Sequence, residues 1–236
     1  MMRLRVLLLL VAGSIPAPAI AGDAHLFSGV DVFGSAVLGS SKTTDGGAPV
    51  AGGGIVGNLR FGPAIAIGGH VGYQFDNPFS AFLSYRYTQG DVGWDVSFPR
   101  VGVSSGFEGS SISNALLGNV GYQMPLSETT AVTAHAGVGL SINTLSGVTE
   151  FDNQTGQFLA TLADHSVWSS AAQIGLGIEH EINSSAKLSL GTSLLYLGGF
   201  ETDAFRTGNL GTTEINPYRL NDVWTTGLNL SLRFEF

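Results

Sequence analysis

Apolar and polar residues alternate along most of this chain, with the two-residue period of a strand whose successive side chains point to opposite faces. The last stretch shows it most plainly. Trp224, Thr226, Leu228, Leu230, Leu232, Phe234 and Phe236 share one face, and Thr225, Gly227, Asn229, Ser231, Arg233 and Glu235 share the other. The same period predicts seven earlier strands: Leu26 to Leu38, Ala64 to Phe75, Phe79 to Thr88, Ile112 to Met124, Thr130 to Ser141, Val167 to Ile182 and Ala186 to Leu197. One face of each is apolar, as in Ile65, Ile67, Val71, Tyr73 and Phe75 of the second strand. The opposite faces collect glycines and small polar residues together with Asp31, His70, Arg86, His135, Glu179, Lys187, Arg233 and Glu235.

The connections come in two kinds. Asp76-Asn77-Pro78, Pro125 to Glu128 and Asn183-Ser184-Ser185 carry tight-turn residues. Ser40 to Pro63, Gln89 to Ser111, Ile142 to His165 and Gly198 to Arg219 read as long loops. Within the second loop, Trp94, Val96 and Phe98 alternate, which suggests strands reaching past their neighbours. Within the third, Phe158, Leu159 and Leu162 are helically spaced and predict a helical turn or two. Three short turns alternating with four long loops require eight strands, with both chain ends on the short-turn side. A strand greasy on one face, small or polar on the other and about 9–11 residues long suits a membrane wall. Only a closed sheet satisfies every backbone N–H and C=O there. The expected fold is therefore all-β, a transmembrane antiparallel up-and-down β-barrel of eight strands.

At the closing strand the chain resembles the bacterial outer-membrane β-barrel proteins, whose final strand ends on a carboxy-terminal Phe with apolar residues at alternate upstream positions. Leu228, Leu230, Leu232, Phe234 and Phe236 match that pattern, and the resemblance implies that they form the signal read by the outer-membrane assembly machinery. The hairpin GYQFDNPFSAFLSYRYTQGD is similar in style and spacing to that of the small OmpA-like and opacity-protein-like barrels. The implied role is structural or surface-interacting, in envelope integrity or adhesion through the four long loops. The implied surroundings are outer-membrane lipids and lipopolysaccharide, with a host or surface ligand at the loops.

The amino terminus fits that destination. Arg3 and Arg5, an apolar run from Val6 to Ala12 and the small-x-small site Ala19-Ile20-Ala21 predict a cleaved signal peptide over residues 1–21 and a barrel domain over 22–236. With no cysteine in the chain there is neither a disulfide framework nor a thiolate metal site. The net charge of −8 argues against nucleic-acid binding, the more so once Arg3 and Arg5 are removed.

Five inward charges, Asp31, Arg86, Glu179, Lys187 and Arg233, are expected to form a lumenal network, with Asp31 and Arg86 able to pair across the interior. An eight-stranded barrel is only wide enough for side chains to fill it. A filled lumen is thus preferred to the alternative of a narrow porin-like channel for small solutes. A lipid A-modifying enzyme is the weaker alternative. His165 and Ser166 are adjacent, so they point to opposite faces of a strand, and no serine is fixed near His135. No catalytic residue, cofactor or metal is assigned. The loop carboxylates Asp91, Asp95, Glu108, Glu150, Asp152, Glu201, Asp203 and Glu214 read as solvated surface charge, with divalent cations shared with lipopolysaccharide phosphates as the alternative.

Overall fold

A computed structural model describes residues 24–41, 54–99, 102–209 and 211–236; the predicted signal peptide and most of the first loop lie outside the described residues. Eight long strands form the wall: β1 (His25–Ser40), β2 (Ile55–Gln74), β3 (Phe79–Phe98), β4 (Val103–Pro125), β5 (Thr130–Asp152), β7 (His165–Asn183), β8 (Ala186–Glu201) and β11 (Arg219–Glu235). Three short ones, β6 (Phe158–Leu162), β9 (Phe205–Gly208) and β10 (Gly211–Glu214), stand outside the ring. Every pairing is antiparallel between ring neighbours, and β1 pairs with β11 from Phe27↔Glu235 to Ser40↔Asn221, which closes the barrel. No helix occurs among the described residues.

Alternation places the apolar residues outside. Ile65, Val138 and Leu228 are each about two-thirds exposed, with Val30, Val32, Leu83, Leu116, Val120, Ile174, Leu176 and Leu190 in the same band. An apolar belt of this kind has lipid as its solvent. Aromatic pairs mark its edges, Tyr73–Phe75 and Phe79–Tyr122 toward the short turns and Tyr196–Trp224 toward the long loops.

The structure corrects three of the loop expectations. β2 begins at Ile55, so residues 55–63 are strand. The second long connection shrinks to residues 99–102 between β3 and β4, because Trp94, Val96 and Phe98 do continue β3. The stretch from Phe158 to Leu162 is the strand β6, not a helical turn. Its helical spacing is coincidental: Ala160 and Leu162 are the buried residues, at the period of a strand whose underside packs inward.

Above the lipid belt the polarity of the strands inverts. Along β3 the inward residues change from Ser80, Ser84, Arg86 and Thr88 to Val92, Trp94 and Val96, while the outward ones change from Leu83 and Tyr85 to Gln89 and Asp91. On β5 the switch uses a bulge. The register shifts between Glu108 and Ser110 of β4, and Gly147 takes φ 62°, open to glycine at no steric cost, bringing Val148 inward after Leu145. These inward residues, joined by Phe107, Leu162, Phe200, Tyr218, Leu220 and Val223, form one apolar core inside the extracellular end of the barrel. Pairing of β1 with β2 stops at Ser35↔Ala64, and side chains close the seam beyond it: Val37, Leu59 and Phe61 pack against the same core.

Candidate functional site: a filled lumen beneath an apolar cap

The residues inside the lipid belt occupy two levels. In the middle, His70 Nδ1 lies 2.9 Å from Asp31 Oδ2. Asp31 also faces Ser231 directly across the β1–β11 pair. Arg86 does not reach Asp31. Its guanidinium carbon sits 3.6 Å over the Phe33 ring, and its nitrogens donate to Ser193 Oγ and Gln173 Oε1, both at 3.4 Å. Gln173 and Asn119 bond to each other, and Asn119 Nδ2 donates to Ser84 Oγ at 2.9 Å. A near-buried cation is thus held by a ring face and neutral oxygens.

Nearer the short turns lies an ion-pair cluster. Lys187 Nζ is 2.7 Å from Glu235 Oε1, and Arg233 Nη2 is 3.2 Å from the same oxygen. Arg233 Nη1 is 3.7 Å from Glu179 Oε2, and Gln123 Nε2 donates to Glu179 Oε1 at 2.8 Å. Arg233 also stacks 3.8 Å over Phe27. Three of the five expected lumenal charges, Glu179, Lys187 and Arg233, are therefore ion-paired in this cluster, Asp31 is bonded to His70, and Arg86 stands on its own contacts. Glu235 and His25 (3.1 Å apart) complete the lower level, and the part played by His25 lacked any signal in the sequence pattern.

Between the levels runs a column of rings: Phe27 against His70 and Phe82, and Phe82 against His135. Glycine is what lets them fit. Gly29 lies opposite His70, Gly72 opposite Phe82, Gly175 opposite His135 and Gly137 opposite Asn119. A Cβ at any of these four glycines would press into the facing side chain. The space left in the lumen is a cavity of about 120 Å³, bordered by Asp31, His70, Arg86, His135, Glu179 and Arg233. Its volume is that of a few waters. Above it the apolar cap closes the extracellular end: Trp94 and Phe107 are stacked in parallel at 5.3 Å, with Tyr218 tilted against both.

His70 is engaged through Nδ1 by Asp31 of β1, while Ser84, its direct cross-strand neighbour on β3, accepts from Asn119 Nδ2. Ser166 Oγ is 2.7 Å from Thr144 Oγ1, and Asp164 accepts from the Gly147 N–H, so neither is arranged around His165. Among the described residues no group of three or more His, Cys, Asp or Glu side chains could hold a metal ion.

On the outer face of β11, Leu228, Leu230, Phe234 and Phe236 are exposed to the lipid side and Leu232 is half-buried between them. The Phe236 N–H donates to Leu26 O at 2.9 Å, fastening the chain end to β1.

A closed eight-stranded antiparallel barrel with an apolar belt is an outer-membrane β-barrel protein. The chain matches the family model described as outer membrane protein beta-barrel domain over residues 6–236, and it belongs to that family. No curated protein matches it in sequence. Among solved structures it is similar to Neisserial surface protein A, with 13% identity, 90% of this chain and 99% of that one covered, and a TM-score of 0.43. It is also similar to the outer membrane protein OprG from Pseudomonas aeruginosa (16% identity, 92% and 96% covered, TM-score 0.49) and to the outer membrane protease OmpT from Escherichia coli (9%, 94% and 99%, TM-score 0.47). The protein resides in the outer membrane.

Proposed function

We propose that this protein is a sealed outer-membrane barrel with a structural and surface-interaction role, the lumen serving stability and the extracellular extension serving contact. The observation that carries the reading is the apolar cap. A solute channel keeps water along its axis, and here the axis is blocked twice, by paired charges and rings within the belt and by a core of eleven buried residues above it. Charges confined to so narrow an interior need partners more than they offer passage. Asp31, Glu179, Lys187 and Arg233 find them in each other and in His70 and Glu235, and Arg86 in Phe33, Gln173 and Ser193. In this reading the network is an internal brace.

In this reading the protein is not a catalyst: His70 serves as the partner of Asp31, and Ser166 bonds to Thr144. The partners proposed are lipid and lipopolysaccharide at the belt, the assembly machinery at Phe236 and its alternate neighbours, and a surface ligand at the extracellular strands. The test is the single-channel conductance of the refolded barrel in a planar bilayer, after a heat-dependent gel shift has established folding. The expected result is a silent membrane. Steady openings whose size changes with Arg86→Ala would establish a narrow solute channel instead.

A further inference from the structure

The eleven-stranded sheet is a closed ring with one branch. Above the belt, β5 leaves β7 and pairs with β6, β6 pairs with β9, and β9 with β10. The other side of β10 is paired with nothing among the described residues, and all four of its residues are exposed. The branch is firmly seated. Ala160 and Leu162 of β6 are buried, and Arg206 of β9 reaches under the sheet to Glu150, 3.0 Å away and almost wholly buried. Its outer face is regular: Thr149, Thr161, Thr207 and Thr212 are direct cross-strand neighbours on four successive strands, with no register shift between β6, β9 and β10.

Edges are commonly blunted by shortness, charge, proline, a bulge or an inward-pointing charge. β10 has only four residues and one charge, Glu214, and carries no lysine, proline or register shift against β9. The Ile215 N–H donates to Ala204 O, so in the alternation of an antiparallel ladder the pairs Thr213↔Arg206 and Gly211↔Gly208 are the hydrogen-bonded ones. Thr212 and Glu214 therefore direct their own N–H and C=O groups outward, along the free edge. Charge decides what that edge can take. The extracellular arginines of the described residues are all committed, Arg60 to Asp95 and Glu108, Arg206 to Glu150, Arg219 to Glu201. Glu214 is in no ion pair among them.

We propose that the free edge of β10 binds an extended, basic peptide segment of a surface partner by strand addition. A basic residue of the added strand lies across from Glu214, and a β-branched residue two positions along lies across from Thr212, beside the exposed Phe205 ring. Cross-strand pairs of opposite charge and of β-branched residues are the favoured ones, and main-chain bonds supply the rest. A second copy of this chain is disfavoured, because it would set Glu214 near its own counterpart in a chain of net charge −8. The proposal rests on the reading of the extracellular extension as a contact surface and names its partner's chemistry.

The probe is the labelled peptide acetyl-Thr-Val-Lys-Val-Thr-Val-Lys-Val-amide, with a counterpart carrying glutamate for lysine, titrated by fluorescence anisotropy against the full chain in nanodiscs. Saturable binding of the lysine peptide, roughly tenfold tighter than the glutamate peptide, is expected. Thr212→Pro removes an outward N–H while sparing the bonds to β9, so it should abolish binding with the heat-dependent gel shift intact. Glu214→Lys should reverse the preference between the two peptides, and it answers the question even if Thr212→Pro fails to fold. No binding, binding indifferent to Thr212→Pro in a folded barrel, or an unreversed preference in Glu214→Lys would overturn the proposal. So would a Thr212-dependent dimer that excludes the peptide. A conducting barrel would overturn the sealed-barrel reading; a silent barrel that ignores the peptide would overturn only the strand addition.

Discussion

The glycines opposite the large lumenal side chains decide how tightly the interior can be filled. A Cβ at Gly72 would lie 2.4 Å from Phe82 Cβ and 2.6 Å from the Ala81 carbonyl oxygen, neither of which can swing away. Gly34 faces lipid with nothing within 4 Å of the same added atom. Gly72→Ala should therefore destabilise the barrel by about 1–3 kcal/mol, the usual cost of overpacking, while Gly34→Ala should be neutral or slightly stabilising. Urea unfolding in lipid vesicles, followed by tryptophan fluorescence, separates the two. That inward glycines make room was legible from their alternation with polar residues. Which glycine serves which ring was not, since it depends on the register between strands, and a strand's own sequence carries no statement of its partner's offset. For the same reason Asp31 and Arg86 could be placed in one lumen, while the contacts of Asp31 with His70 and of Arg86 with Phe33 emerged only from the pairing.

At the scale of elements, the eight strands and three short turns followed from period and turn residues, and the extracellular connections did not. The alternation of Trp94, Val96 and Phe98 does signal strand beyond the membrane, but above the lipid its meaning inverts, so the length of the extension is hidden by an outer face that turns polar. The β5–β6 connection holds a turn whose chemistry can be tested. Asp152 accepts from the Thr155 N–H and hydroxyl and from the Gln154 N–H, which holds its carboxyl below the ordinary carboxylate value. A depressed carboxyl supports the turn at every pH above its unfolded value, about 3.9, and gives up that support as pH falls through its lower folded value. The amide resonances of Gln154 and Thr155 should hold steady down to about pH 4 and shift only below it. In Asp152→Asn that acid transition should disappear from the NMR titration.

For the whole molecule, the end of the chain is where assembly and stability can be told apart. The Phe236 backbone is bonded to Leu26, whereas its ring projects toward lipid. Deleting Phe236 removes both; Phe236→Ala removes only the ring. If the ring belongs to an assembly signal, as we propose, both variants should reach the membrane in lower amounts while export continues, measured by fractionation of cells. The purified Phe236→Ala barrel should then refold with near-normal stability. Equal insertion of wild type and Phe236→Ala would remove the case for a signal. The inversion of polarity along the strands has its own thermal consequence. Lipid-facing residues such as Leu83 and Val138 are surrounded by hydrocarbon, but Val92, Trp94, Phe107 and Leu220 are withdrawn from water, as the interior of a soluble protein is. Burial from water carries a large heat capacity, and stability built on it peaks at moderate temperature and fades in the cold as well as in the heat. The extracellular end of this barrel is therefore held together as a soluble core is, most strongly at moderate temperature, while the belt below it answers to hydrocarbon.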